Sequence, residues 1–267
     1  MSKLSLEELK NTATWYQELM VPALFEKWPD QILEEAKIKS AEKLLDVACG
    51  TGVLAIAGAE RLGEKGFTAG LDMNPGMLAV AEKLAPDIEW HQGTAEDIPW
   101  GEESFDVVVS QFGLMFFEDK QKALREMFRV LKPGGRLVIA VFDSLDNIPG
   151  YKIMARIFGQ VVGEEVEEAL RFPFSLGEVD VLKFLCSKSG LTGAKINTCE
   201  GNARFPDVRT MVLADVKGWF PLARFVLDEY QIDEVVTKAE SDLKEFVTTY
   251  GAVVFPMPAH FVTITKN

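Results

Sequence analysis

The 267-residue chain reads in three stretches by the spacing of its apolar positions. Across residues 4–38, Leu6, Leu9, Ala13, Tyr16 and Leu19 recur at helical spacing, with Pro22 and Pro29 as punctuation. From residue 43, short apolar runs alternate with helical segments. Residues 44–48 predict a strand and 53–62 a helix stopped by Gly63; residues 66–73 predict a second strand. Asn74 as N-cap and Pro75 at the first helical position open a helix running to about Ala85. Strands follow at 88–93 and 105–111, the latter with the unbroken Val107-Val108-Val109 of a strand covered on both faces. A helix over 119–131 puts Leu124, Met127, Phe128 and Leu131 on one side. A tight turn at 132–135 then leads into a fifth strand, 136–142. Five such alternations predict a parallel sheet with helices on both faces.

Beyond residue 145 the periodicity weakens. Helices are expected over 148–162, 164–170 and 176–189, an extended segment over 194–205, and mostly helix over 207–250. Late extended segments fall at 253–255 and 261–265. With no repeat, low-complexity tract or linker, 1–267 reads as a single domain. Residues 1–40 form an N-terminal helical cap, 41–145 a cofactor-binding core, and 146–267 complete the sheet and carry inserted cap helices.

Composition narrows the function. The chain is 48% hydrophobic and 26% charged, the balance of a globular protein. Its formal net charge of −13 argues against a nucleic-acid backbone or an anionic membrane as partner. Cys49, Cys186 and Cys199 are widely spaced with no C-x-x-C, so neither a disulfide framework nor a metal site is expected. The charged start and the short apolar runs predict a cytoplasmic protein without an integral membrane segment.

The chemistry concentrates in Leu44-Leu45-Asp46-Val47-Ala48-Cys49-Gly50-Thr51-Gly52-Val53, a buried strand passing through a glycine turn into a helix. Glycines let the backbone turn sharply and let a ligand approach it. The helix start behind them offers free N–H groups. Asp72 ends the second strand, where a carboxylate can accept hydrogen bonds from both ribose hydroxyls. A nucleoside-bearing cofactor follows. The Gly50-Thr51-Gly52-Val53-Leu54-Ala55 run also satisfies a loose dinucleotide fingerprint. Asp46, however, would be a liability beside a pyrophosphate and an asset beside the ammonium of a methionine moiety.

From 43 to 143 the chain resembles the class I S-adenosylmethionine-dependent methyltransferases of small-molecule type, nearest the ubiquinone/menaquinone biosynthesis C-methyltransferases. The resemblance rests on 45–52, 71–78, 93–100, 104–108 with 111–114, and 129–137, in that order. Ala48 stands where relatives commonly have glycine, and Thr94 where many carry an acidic residue or Asn.

The resemblance implies a Rossmann-like, seven-stranded, mostly parallel α/β sheet ending in an antiparallel strand, with a helical cap. It assigns S-adenosyl-L-methionine as cofactor. Asp46, Ala48, Gly50, Thr51 and Gly52 would serve its methionine end, Asp72 the ribose, Met73 the adenine face, Thr94 and Ala95 the adenine edge. Gln111 would lie beside the sulfonium. Tyr16 and His260 are the candidates to touch the acceptor. His91 reads as a packed strand residue, Cys49 as a space filler and Arg204 as a surface residue.

The acceptor pocket is expected from aromatic-rich segments outside the sheet, which suits a small lipophilic or aromatic acceptor. Methyl transfer to it would proceed by in-line displacement, driven mainly by alignment and exclusion of water. An NAD(P)-dependent oxidoreductase and a non-catalytic S-adenosylmethionine-binding regulatory protein are the rival readings. The acceptor's identity, the atom methylated and the oligomeric state are not readable from the residues.

Overall fold

A computed structural model of the chain describes residues 4–267. Helix α1 (Leu6–Trp15) opens on a capping box. The Ser5 hydroxyl accepts from the Glu8 amide at 3.2 Å, and the Glu8 carboxylate accepts from the Ser5 amide at 2.7 Å. The expected single helix over 4–38 is in fact three pieces. Tyr16–Phe25 continues α1 with a wider π-helical register, and α2 (Trp28–Glu35) begins after a turn with Pro29 in its first turn. Pro22 lies inside the π segment, where it has no N–H to give an α ladder.

The core alternates as predicted: β1 (Lys43–Val47), α3 (Val53–Leu62), β2 (Phe67–Asp72), α4 (Pro75–Leu84), β3 (Glu89–Gln92), β4 (Phe105–Gln111), α5 (Lys120–Arg129) and β5 (Leu131–Phe142). Local chemistry sets these boundaries. Asn74 Oδ1 caps α4 through the Gly76 amide at 2.8 Å, and Asp119 Oδ1 caps α5 through the Lys122 amide at 2.9 Å. The turn at 132–135 falls inside β5, as an irregularity in its pairing with β4 between Phe105 and Val107. There Gly134, at φ +77°, donates to the Lys266 carbonyl at 2.7 Å.

After β5 come α6 (Pro149–Val161), α7 (Glu164–Arg171) and α8 (Val179–Lys188). The extended stretch expected over 194–205 is two strands in two sheets, β6 (Lys195–Cys199) and β7 (Asn202–Phe205). Gly201 divides them, packed without room for a side chain against the Trp28 indole. Then follow α9 (Val208–Leu213), a second π-helical segment (Ala214–Trp219), α10 (Glu229–Asp242), β8 (Val253–Pro256) and β9 (Ala259–Thr265).

The main sheet has seven strands in the order β3-β2-β1-β4-β5-β9-β6; β7 and β8 form a separate ribbon. Strands β1 to β5 pair in parallel, while β9 runs antiparallel to both β5 and β6. Val107, Val108 and Val109 are fully buried, as are Leu137 and Ile139–Val141 by residue, so both faces of the central strands are covered.

Arg136 braces the lower edge. It pairs with both Glu42 oxygens at 2.8 and 2.7 Å and donates to the Ala36 and Lys37 carbonyls, tying the α2–β1 connection to β5. Among the described residues no helix is long and apolar enough to cross a membrane. Parallel strands place the ends of β1, β2 and β4 along one edge of the sheet, where the strand order reverses between β1 and β4.

Candidate active site

At that edge the chain after β1 turns through left-handed backbone at Ala48 (φ +59°), Gly50 (φ +56°) and Gly52 (φ +91°). Glycine is favoured at two of these positions by conformation, and at Gly52 it is required also by space. A Cβ there would lie 2.6 Å from Cη2 of Trp90, whose ring packs beneath the turn. Ala48 carries its Cβ into the same region, at a cost of about 1–2 kcal/mol.

The loop is held to the second strand by Asp72. Its Oδ2 accepts from the Gly50 amide at 2.8 Å and its Oδ1 from the Asn74 amide at 2.8 Å. A carboxylate has about four acceptor positions, so capacity remains for a ligand's hydroxyl.

Asp46 is buried in β1, with Oδ2 accepting from the Ala55 amide at 3.1 Å and Oδ1 without a partner. Thr51 Oγ1 and Gln111 Oε1 are buried and unpartnered as well. The Gln111 Nε2 donates to the Phe25 carbonyl at 3.2 Å, which ties the end of β4 to the N-terminal cap. Asp46 pairs in register with Val109, and Gln111 lies two residues beyond it on the same face. Two unpaired acceptors and one hydroxyl thus collect around the turn. These acceptors suit an ammonium and the hydroxyl a carboxylate, the two ends of an amino acid.

The electrostatics follow from this enclosure. Burial pushes the Asp46 carboxyl well above the usual range, against the Ala55 hydrogen bond and with the help of nearby Asp72. Desolvation raises Asp72 too, opposed by the amides of Asn74, Gly50 and Met73. Both carboxylates would gain from a cation between them. Cys49 is buried and its thiol pushed well up, by burial first and then by Asp72 and Asp46, so it stays a protonated, space-filling residue.

Tyr16 reaches into the same site from the cap. Its hydroxyl would lie 3.9 Å from a Cβ on Gly50, and its ring stacks on Phe25 with centroids 5.2 Å apart. Its phenol is raised by burial, then by Asp72, Asp46 and Cys49, so it remains a hydrogen-bond donor at neutral pH.

The outer residues are arranged differently. Met73 is 68% exposed at the end of β2, an apolar side chain open to a flat ligand. Thr94 is exposed beside buried Ala95. His260, expected near the acceptor, is buried with both ring nitrogens engaged. Nδ1 lies 2.9 Å from Thr198 Oγ1, and Nε2 lies 2.9 Å from the Gly177 carbonyl and 3.2 Å from Asp143 Oδ1. This holds β9, β6 and the 177 loop together and leaves the ring no free nitrogen. His91 pairs with Glu89 at 2.5 Å and meets Trp100 edge-on. Past the end of β4, Phe116 faces Phe172 and Trp219 at centroid distances of 5.7 and 5.3 Å, an aromatic group partly open to solvent. Tyr151 falls within the aromatic-rich segments expected to line the acceptor pocket, whereas Trp90, Gln17 and the buried Asp215 that pairs with Tyr151 are not singled out by the sequence. A Trp directly preceding His91 in β3 was a visible signal for Trp90; Gln17 and Asp215 carry none.

A sheet in this order, with a glycine turn after β1 and an acidic residue closing β2, defines an S-adenosylmethionine-dependent methyltransferase. Residues 8–165 match the ubiE/COQ5 methyltransferase family, and the chain belongs to it. It is 38% identical over 152 residues to a demethylmenaquinone methyltransferase of Lysinibacillus sphaericus, covering 53% of this chain and 64% of that protein. To the protein of the same name from Staphylococcus carnosus it is 34% identical over 209 residues, covering 72% and 86%. The fold is also that of Haemonchus contortus phosphoethanolamine N-methyltransferase 2, solved with phosphomonomethylethanolamine and S-adenosylhomocysteine. There the TM-score is 0.61 at 17% identity, over 99% of this chain and 60% of that one.

Proposed function

We propose that this protein transfers the methyl group of S-adenosylmethionine to a ring carbon of a hydroxylated, quinone-type lipophilic acceptor. The observation that carries the cofactor part is the set of buried, unpartnered polar atoms at the glycine turn, Asp46 Oδ1, Thr51 Oγ1 and Gln111 Oε1. The acceptor class is supported by the names of the two bacterial relatives and by the open aromatic group Phe116, Phe172 and Trp219.

When bound, the cofactor supplies an electrophilic methyl on a sulfonium. The residues do the rest. Asp46 and Gln111 take the ammonium, and Thr51 with the amides at the start of α3 takes the carboxylate. Asp72 takes the ribose hydroxyls. Met73 covers one face of the adenine, with Thr94 and Ala95 at its edge. Tyr16 closes the cap over the turn and excludes water, which strengthens every charge interaction inside. Alignment of acceptor and methyl supplies most of the rate. His260 is assigned a framework role. We infer a cytoplasmic protein that meets its acceptor as a small molecule.

The test is incubation with methyl-labelled S-adenosylmethionine and prenylated 1,4-naphthohydroquinones. Calorimetric titration with S-adenosylhomocysteine, NAD and NADP runs alongside. Micromolar binding of the first ligand alone, with label on the ring carbon, supports the reading. Tight binding with no product from any hydroquinone, catechol or phenol would make the protein a cofactor-binding regulator instead.

A further inference from the structure

A second polar centre lies in the cap, away from the glycine turn. Tyr151 in α6 donates to Asp215 Oδ1 at 3.4 Å, and both residues are buried. That contact is longer than a relaxed O–H···O bond. Asp215 Oδ2 is buried with no partner at all. An unpaired buried carboxylate oxygen costs on the order of 1–3 kcal/mol, so a fold that keeps one has a use for it. Asp215 sits in the π-helical Ala214–Trp219 segment, where the Phe220 amide reaches back to the Asp215 carbonyl. Short π segments recur at functional sites.

The position is equally specific. The Ala214–Trp219 segment packs on the other π segment, which carries Tyr16. A Cβ on Gly218 would lie 3.3 Å from the Tyr16 Cα and 2.9 Å from Met20 Sδ. From Tyr16 a chain of ring contacts runs through Phe25, Phe142 and Phe174 back to Tyr151, with centroids 5.2, 6.2, 5.5 and 5.5 Å apart. The dyad therefore closes an aromatic circuit that starts at the cofactor turn. Gln17 Oε1, on the same π segment as Tyr16, is another buried acceptor without a partner. Residue 215 lies beyond the stretch that matches the family, so the shared core does not supply this carboxylate.

We propose that Asp215, oriented by Tyr151, binds a ring hydroxyl of the acceptor and takes its proton during methyl transfer. The inference rests on the function proposed above. The hydroxyl proton passes to Asp215 Oδ2 as the adjacent ring carbon bonds to the methyl carbon and the carbon–sulfur bond breaks, its electron pair staying on sulfur. The ring C–H proton then leaves to water, its bonding electrons restore the aromatic ring, and Asp215 returns its proton to the oxygen. The net products are methylated ring, thioether and one proton. Burial pushes the Asp215 carboxyl well above the usual range and brings it closer to a phenol in basicity; the Tyr151 phenol, pushed up by burial and then by Asp215, stays protonated and donates. Tyr151 is the titratable partner of Asp215, while Lys217 on the same segment lies over the Trp15 ring at 4.8 Å.

The test compares wild type with Asp215→Asn and Tyr151→Phe. Two readouts are used: methylation of a prenylated naphthohydroquinone across pH, and binding of 1-naphthol or its methyl ether to the protein saturated with S-adenosylhomocysteine. Asp215→Asn should lower kcat by about 10²–10⁴-fold and remove the acidic limb of its pH profile. Tyr151→Phe should lower kcat about tenfold and shift that limb. S-Adenosylhomocysteine binding should be unchanged in both. Wild type should prefer the naphthol to its ether, and Asp215→Asn should lose the preference. Should the acid variant not fold, Tyr151→Phe carries the same comparison. If wild type methylates nothing, the proposed function fails, and the naphthol preference still decides the dyad. Unchanged pH profiles in an active enzyme, or an unchanged naphthol preference in the variants, would overturn the inference.

Discussion

Replacing Asp46 by Asn should make the protein more stable and a worse binder of S-adenosylmethionine. The side chain is 1% exposed, has one hydrogen bond, from the Ala55 amide, and leaves Oδ1 unpaired. Burial raises its carboxyl well above the usual range. A carboxylate raised in this way binds more protons folded than unfolded, so stability falls as pH climbs from about 3.9 through the raised value. Asparagine keeps the shape and the acceptor for Ala55 and has no charge to desolvate. The gain at pH 7 should be about 1–3 kcal/mol, or about 2–9 °C in Tm at roughly 2–3 °C per kcal/mol for a chain of this size. Near pH 4 the gain should vanish. The cofactor's ammonium loses a charge-assisted partner in the variant, worth about 1.5–3 kcal/mol or roughly 10–150-fold in Kd. Calorimetric melts of the ligand-free proteins from pH 4 to 8, with titration of S-adenosylmethionine at pH 7, read both effects. A variant less stable at pH 7, or one with wild-type affinity, would refute the placement of Asp46 as a strained, ligand-facing carboxylate.

Other substitutions test neighbouring parts of the same geometry. Asp72→Ala should cost about 1.5–3 kcal/mol of S-adenosylhomocysteine affinity by titration, since it removes the proposed ribose acceptor and frees the Gly50 and Asn74 amides. Ala48→Gly should raise Tm slightly, because relief of about 1–2 kcal/mol of left-handed strain exceeds the ~0.5–1 kcal/mol entropic penalty of glycine. Gly52→Ala should lower stability by about 2–3 kcal/mol in denaturant melts and weaken the cofactor, as its Cβ meets the Trp90 ring in left-handed backbone. Arg136→Met should destabilise by about 2–4 kcal/mol by stranding Glu42. Desolvation alone would raise the Glu42 carboxyl, but the hydrogen bonds it accepts from Arg136 and the Lys39 amide, with the Arg136 charge, together hold it below the usual range. Its contribution is therefore present above the usual Glu value near 4.3 and is lost as pH falls below it, so the two melting curves should converge in acid.

How far the residues announce their structure depends on how local the cause is. The helix at Val53–Leu62 and the strand at Phe105–Gln111 can be read to the residue, because Gly63 and the Val107–Val109 run act within a few positions. The glycine turn and Asp72 are legible for the same reason: spacing alone brings them to one edge of the sheet. The single extended stretch expected at 194–205 splits because Gly201 meets Trp28, a residue far away in sequence. His260 offers a histidine entering a late strand, and nothing nearby reveals that Thr198, 62 positions earlier, and the Gly177 carbonyl, 83 positions earlier, take both its nitrogens. The Tyr151–Asp215 pair spans 64 residues and has no periodic signature.

That division follows the chemistry of the fold. The proposed cofactor recognition uses atoms at the ends of adjacent parallel strands, so a short motif can encode it. On the proposed reading, acceptor recognition falls to the cap, whose parts meet only after folding: Tyr16–Phe25 at one end of the chain and Ala214–Trp219 near the other. Both are π-helical, with the Glu26 amide bonded to the Val21 carbonyl and the Phe220 amide to the Asp215 carbonyl. Glycine at 218 lets the two segments pack closely: a Cβ there would meet the Met20 thioether at 2.9 Å and the Tyr16 Cα at 3.3 Å, so a larger residue presses the two segments apart. On the proposed reading, the cofactor and acceptor sites meet where these two segments pack. Gly218→Ala should consequently weaken S-adenosylhomocysteine and the hydroxylated acceptor together, whereas changes at Asp72 or Asp215 should each weaken only one.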